Sequence, residues 1–385
     1  MNRRHLPPDR GCEVPTLQDC PDAVAALLAA HRAGGLVSLR TSGTTGRPRK
    51  VIRTAASWVD SFPVVAQLIG LEGGSRAWVP GPLSATMNLY AAALATNLGA
   101  SLVDSVSRAS HAFLTPTGLI QLLAEPAPQD LHVIIAGDRL GTGLADRAAA
   151  RGWRVSHYYG AAQLSFVAWG RDEASLQPFP EVAVEARADG RLWVSSPWLC
   201  EREIAPGEAQ SAFQVEVEAG TGRRWATVGD RGRLAADGRV VVLGRDDVIL
   251  TGGATVLVGD VEAVLRPAAR GEVCVVPQPH DRLGSVVVAV CTDIEDLGRL
   301  AGHARTSLTG PFRPRRWLHR PELPLTAAGK VDRAALARWV AQSRGDSSHP
   351  SKPLPNLAAA TEYSRADARF GSGSDEVADS RIGSV

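Results

Sequence analysis

Ten consecutive residues, Thr41-Ser42-Gly43-Thr44-Thr45-Gly46-Arg47-Pro48-Arg49-Lys50, hold four hydroxyl side chains, two glycines and three cations. Glycine lets a backbone turn tightly and bring its N–H groups close to a ligand. Hydroxyls and cations donate hydrogen bonds to anionic oxygens. The inventory is that of a phosphate cradle, with a Ser/Thr/Gly-rich hairpin turn as the plain alternative. It is not a Walker loop, which has four residues between its glycines and then opens a helix. Here two residues separate Gly43 from Gly46, and an apolar, strand-like run follows.

Four further stretches carry groups that nucleotide chemistry uses. Tyr158-Tyr159-Gly160-Ala161-Ala162-Gln163 follows an apolar run. An aromatic ring before a glycine at a strand end stacks on a flat base and opens a backbone edge to it; a buried tyrosine beside a turn glycine is the alternative. Ala226-Thr227-Val228-Gly229-Asp230 ends a run with a carboxylate. An ionised carboxylate only accepts, so it can take both hydroxyls of a ribose, although Gly-Asp is also a common turn. Gly244-Arg245-Asp246-Asp247-Val248-Ile249-Leu250-Thr251-Gly252-Gly253 has the charges and glycine pair of a hinge, or of a linker. Pro324-Leu325-Thr326-Ala327-Ala328-Gly329-Lys330 presents a lysine on a glycine turn, in a chain with far more arginine than lysine. Such a lysine reaches a carboxylate or phosphate as a point charge.

These groups need elements to position them. Asp22 is placed to cap a helix over 21–33. Strands flank the cradle at 35–40 and 51–52. The apolar spacing predicts helices over 55–71 (started or kinked by Pro63 and ended by Gly73-Gly74), 86–98, 116–123 and 143–151. Short strands are predicted over 76–80, 100–104, 113–114, 131–137 and 153–158. Such alternation defines an α/β sheet with helices on its faces. From 181 to 245 short strands with turns such as Ala188-Asp189-Gly190 and Asp237-Gly238 read as antiparallel β. A separate α+β unit follows, with helices over 257–265, 295–308 and 331–342 and strands over 273–276 and 286–291. Residues 1–20 read as a loose arm, and the polar stretch from about 345 as disordered. The fold expected is therefore α/β: a large domain over 1–245 with an α/β sheet and an antiparallel β subdomain, a small mobile α+β domain over 246–342, and a tail over 343–385.

Composition narrows the function classes. With 42 basic and 40 acidic residues the net charge is +2, which gives no electrostatic reason for nucleic acid or a membrane surface as partner. The cysteines at 12, 20, 200, 274 and 291 have no C-x-x-C spacing and read as reduced thiols of a cytoplasmic protein. No apolar stretch is long enough to span a membrane, and the polar start is no signal peptide.

The five motifs, in this order from about residue 36 to 340, resemble those of the AMP-forming acyl-CoA synthetase superfamily of acyl- and aryl-CoA ligases, adenylation domains and luciferase. The resemblance implies ATP, Mg²⁺ and coenzyme A. A carboxylic acid would attack the α-phosphorus to form an acyl-adenylate, and a thiol, coenzyme A or a carrier-protein phosphopantetheine, would then displace AMP. It assigns Thr41, Ser42, Gly43, Thr44, Thr45, Gly46 and Arg49 to the β- and γ-phosphates. Gly137 would lie beside the acyl and nucleotide pockets, Tyr159 and Gly160 against adenine, and Asp230 and Arg245 at the ribose. Asp246 or Asp247 would be the hinge, and Gly252 and Gly253 would swing to the thiol channel. Lys330, Thr45 and Arg245 would be catalytic.

The sequence also departs from the family pattern. Arg49 stands where most relatives have lysine, which keeps the charge. The metal position, shared with Thr45, falls on Gln163 where relatives have glutamate, and an amide is a poorer ligand for a hard cation. Small residues at Ser84, Ala85 and Ala162 imply a roomy acyl pocket. The motif between Arg245 and Gly252 is one residue short, and only 40 residues precede Thr41, so one usual subdomain is expected to be missing. An o-succinylbenzoate–CoA ligase is one alternative. A degenerate nucleotide-binding or carrier-protein-interaction module is another.

Overall fold

Strands that are buried at every position need cover on both faces, and two such strands lie at the centre of this chain. His111–Leu114 and His132–Ile135 are buried throughout. They sit in a seven-stranded sheet ordered Ser101–Val103, Arg76–Trp78, His111–Leu114, His132–Ile135, Arg154–Ala161, Ser165–Gly170 and Gln177–Pro178. The first five strands are parallel and the last two antiparallel. The structure, a computed structural model, describes residues 14–41, 49–204, 212–244, 248–326 and 329–343 of the 385. Described residues up to Ala341 fall in one compact unit.

The helices follow their local signals. Asp22 caps Ala23–Arg32 by accepting from the Ala25 N–H at 2.9 Å. Thr115 does the same for Pro116–Leu123, whose proline occupies the first turn where no N–H is needed. The segment 55–71 departs from expectation: it forms two helices, Ala56–Val59 and Phe62–Ile69, and ends at Gly70 rather than Gly73. Gly70 has φ +66°, a left-handed cap that glycine adopts without strain.

Leu36–Thr41 and Arg49–Thr54 pair antiparallel with Thr41 opposite Arg49, so the hydroxyl-rich stretch is the loop of a hairpin. Arg202–Ile204 adds a third strand beside Arg49–Thr54. Loop residues 42–48 lie outside the described residues. The loose arm is corrected for its described part: Leu17 is completely buried, and Thr16 bonds Ser38 across 2.8 Å.

The antiparallel region is a four-stranded sheet of Ala183–Ala186, Leu192–Ser195, Arg224–Thr227 and Gln214–Val217, followed by the hairpin of Arg231–Leu234 and Val240–Gly244. Residues 248–343 build a sheet of their own. Its strands are Ala254–Leu257, Val248–Thr251, Gly284–Cys291 and Val273–His280, with Arg316–His319 parallel to Gly284–Cys291. Val248-Ile249-Leu250 is thus a strand and not a linker. Arg245, Asp246, Asp247 and the tail from 344 lie outside the described residues. Among the described residues, no helix is long and apolar enough to cross a membrane.

Candidate active site

Parallel pairing brings the carboxyl ends of three central strands together. Leu114 is level with Ile135, and Ile135 with His157. The chain therefore leaves the sheet near Thr115 and Gly137 on the same edge, past which the neighbouring strand runs on through Tyr159 to Ala161; such edges are where open α/β sheets bind ligands.

Gly137 adopts φ +90°, and a Cβ built on it would lie 3.4 Å from Thr115 Cγ2 and 4.0 Å from both Met87 Sδ and Lys330 Cε. The lysine turn is therefore docked against this edge. The turn is closed by Thr326 N–H donating to the Lys330 carbonyl at 2.8 Å and Gly329 N–H donating to Thr326 at 2.9 Å. Gly329, at φ +74°, approaches Thr115 so closely that its Cβ would lie 3.2 Å from Thr115 Cγ2. Ser84 and Ala85 immediately precede the helix Thr86–Asn97, which brings Met87 to the same place.

Tyr159 and Asp230 meet: the phenol donates to Asp230 Oδ2 at 2.7 Å. The strand carrying Tyr159 shifts register at Gly160. A Cβ there would fall 2.3 Å from the Ser165 carbonyl oxygen, so only glycine fits. Ser165 itself is held at φ +61°.

Arg53, on the strand that leaves the hydroxyl-rich loop, explains how the turn between Gly160 and Ser165 is held. It is fully buried. Its guanidinium donates to Ser57 Oγ, the Ala162 carbonyl, Ser165 Oγ and the Trp198 carbonyl at 2.8, 2.8, 2.7 and 2.6 Å. Burial, partly offset by Cys200, pushes its pKa down to about 10. Gln163, in the same turn, donates its amide to Glu203, and Glu203 also accepts from Arg49 at 3.2 Å.

A second ionic cluster fixes the lysine turn from behind. Glu262 is completely buried. It accepts from Arg333 at 2.7 and 2.9 Å, from Arg266 at 2.8 Å, from Arg139 at 2.9 Å and from the Val275 N–H at 2.8 Å. Burial opposes its ionisation, but Arg333, Arg266 and Arg139 outweigh that and hold its carboxyl far below the usual range. Arg139 comes from the loop after Gly137, and Arg333 stands three residues after Lys330. The same seam holds a Thr117–Glu272 bond of 3.1 Å. It is also so tight that a Cβ on Gly143 would lie 2.7 Å from the Ala269 carbonyl oxygen.

Gly252 and Gly253, at φ +56° and +83°, are the turn between Val248–Thr251 and Ala254–Leu257. Thr115, Arg53, Glu203, Arg139, Glu262 and Arg333 are absent from the sequence-based site. Each acts through partners distant in sequence, a relation that no local motif records.

No family model matches the chain. Curated relatives do match, and two of them span most of it. An uncharacterized acyl–CoA ligase of Bacillus subtilis (strain 168), YhfT, is 26% identical over 340 residues, 79% of this chain and 68% of that protein. A probable 2-succinylbenzoate–CoA ligase of Mycobacterium tuberculosis is 29% identical over 362 residues, 84% of this chain and 91% of that protein. Among solved structures, E. coli MenE with bound OSB-AMS matches with a TM-score of 0.66 and 24% identity, covering 81% of this chain and 70% of that one. Along most of its length the chain is thus similar to acyl–CoA ligases, which supports the AMP-binding, adenylate-forming superfamily for it, and its fold is that of solved adenylate-forming enzymes. Both curated relatives carry acyl–CoA ligation in their names.

Proposed function

We propose that the chain joins a carboxylic acid to coenzyme A in two steps at the sheet edge carrying Thr115, Gly137 and Tyr159. In the first, a carboxylate oxygen bonds to the α-phosphorus of ATP, and the bond to the β-phosphate breaks. Pyrophosphate leaves and an acyl-adenylate remains. In the second, the thiol sulfur bonds to the acyl carbon, AMP departs, and the thiol proton passes to solvent. The observation that carries this reading is the docking of Lys330 against Gly137, one strand away from the bonded pair Tyr159 and Asp230.

A reaction between two anions needs charge neutralised and groups held in line. Lys330 supplies a cation where carboxylate and α-phosphate meet. The loop 41–50 holds the leaving pyrophosphate, with Mg²⁺ as its counter-ion. Tyr159 lies against adenine, and Asp230 takes the ribose hydroxyls. A carrier-protein phosphopantetheine is the alternative acceptor, and a cytoplasmic role in fatty acid metabolism accompanies the reading. The long match to a probable 2-succinylbenzoate–CoA ligase favours a second choice of acid, an aromatic dicarboxylate.

Pyrophosphate release over a panel of acids, with and without coenzyme A, tests the function. Lys330→Ala is expected to slow adenylate formation by about 10²–10³-fold, the range for losing one preorganised charge-stabilising group, while leaving ATP binding intact. Adenylation at the wild-type rate would refute the role of Lys330. ATP binding without turnover of any acid would leave only a nucleotide-binding module.

A further inference from the structure

Glu272 stands just before the strand Val273–His280 and reaches across the seam to the helix Pro116–Leu123. Its Oε1 accepts from Thr117 at 3.1 Å, while Oε2 is buried with no partner among the described residues. The side chain lines a cavity of about 40 Å³, shared by Asp138, Arg139 and Gly141 of the large sheet and by Arg266 and Arg333 of the 248–343 unit. Two more buried atoms there lack a hydrogen-bond partner among the described residues, Arg266 Nη1 and Glu173 Oε1. Glu173 Oε1 would lie 3.8 Å from a Cβ on Gly141.

The cations of this seam are committed elsewhere. Arg139, Arg266 and Arg333 all donate to Glu262. Burial opposes the ionisation of Asp138, but Arg266 and Arg333 outweigh it and lower its carboxyl, so Asp138 adds a negative charge. Burial pushes the Cys274 thiol up to about 12, which leaves it neutral. Asp296 is taken by the Arg270 and Gly271 amides and by Arg299. Glu272 keeps only a neutral hydroxyl. A buried carboxylate without a cation gives up its charge. Burial, reinforced by Asp138 and opposed by Thr117 and Arg266, pushes its carboxyl up to about 7.

We propose that closing the seam takes up one proton from solvent on Glu272 Oε2, and that opening the seam returns it, so that docking of the 248–343 unit answers to pH. The proton turns Oε2 into a donor, and the same cavity is bordered by an acceptor that lacks one, Glu173 Oε1. The cavity has room for a water to join them. A carboxyl raised on closing favours the closed seam in full below its ordinary 4.5, and the advantage is lost as pH rises toward about 7. The catalytic consequence rests on the ligase reading above: this seam also docks the lysine turn, so lower pH favours the adenylating half of the reaction.

Amide hydrogen exchange of residues 138–145 and 269–275 reads the opening of the seam. It is measured on the full chain without nucleotide or acid and corrected for the intrinsic rate at each pH. From pH 5.5 to 8 the wild-type seam is expected to open about 10–100-fold more often. Glu272→Gln keeps an oxygen for Thr117 and cannot ionise, so its seam is expected to open equally at both. Any contribution of the buried histidines persists in the variant and is thereby subtracted. Carbon NMR of the wild-type carboxyl needs no variant, and Glu272 is expected to titrate at about 7. A flat wild-type profile, a variant as pH-dependent as the wild type, or a Glu272 midpoint at the ordinary 4.5 would each overturn the proposal. A variant that loosens the seam equally at both pH values would reduce Glu272 to packing and overturn it too. None of these measurements uses ATP, so their failure leaves the ligase reading standing, and pyrophosphate release tests that reading separately.

Discussion

Arg139→Met cuts one strand of the tether behind Lys330. The guanidinium bonds Glu262 at 2.9 Å and the Val242 carbonyl at 3.2 Å. Its side chain is 13% exposed, so solvent screens the pair only weakly. Glu262 retains Arg266 and Arg333, so it is not orphaned, and the ~3–5 kcal/mol cost of breaking a buried pair is not reached. A hydrogen bond to a charged partner contributes about 1.5–3 kcal/mol, and methionine keeps most of the aliphatic packing. The docked lysine turn should therefore lose about 1.5–3 kcal/mol, roughly a 10- to 150-fold shift toward undocked forms. ATP–pyrophosphate exchange reads the step that needs Lys330 docked. Thioester formation from supplied acyl-adenylate reads the step that does not. Exchange should fall while thioester formation holds or rises, and a double-mutant cycle with Glu262→Gln should return a coupling of the same size. Wild-type exchange together with no coupling to Glu262 would refute the reasoning.

Arg53→Met orphans the Ala162 carbonyl and leaves the Trp198 carbonyl only its 3.1 Å bond from Ser165 Oγ, and should cost on the order of 3 kcal/mol; urea unfolding that moves by less than about 1 kcal/mol would contradict this. Asp230→Asn should weaken ATP binding by about tenfold. Tyr159→Phe, which keeps the ring and loses only the 2.7 Å bond, should have the smaller effect, about threefold. Burial pushes His132 and His157 down to about 4 from an ordinary 6.5. A depressed folded value gives stability that is complete above pH 6.5 and is lost as pH falls toward 4. Each buried ring should then cost about 1–2 kcal/mol by pH 5, and equal stability at pH 7 and 5 would exclude it.

What the sequence reveals depends on how far apart the partners lie. Gly137 and Tyr159 sit at ends of apolar strands, so the rhythm of the sheet locates them without tertiary knowledge. The hairpin around 41–50 shows in its own flanks. Lys330 is marked by its rarity and its glycine. By contrast, Arg139 and Glu262 are joined across 123 positions and Arg49 and Glu203 across 154. Nothing local distinguishes Glu203 from Glu201, or Arg53 from the other arginines. The strand Val248–Thr251 was obscured by its charged and glycine-rich neighbours, which favour a hinge reading. The first helix of 56–69 ends at Asp60 and Ser61, where the apolar spacing continues and gives no warning.

The cluster around Glu262 has a consequence for turnover. An apolar seam between two moving parts gains steadily with area and resists parting. An ionic seam behaves otherwise: the desolvation it demands on closing offsets much of what the pairs return. If the small domain swings as the proposed cycle has it, the four charged side chains regain water together. In the proposed cycle, docking is thus specific in register yet shallow in depth. Added salt favours the parted form, so ionic strength becomes a dial on which half of the reaction limits the rate.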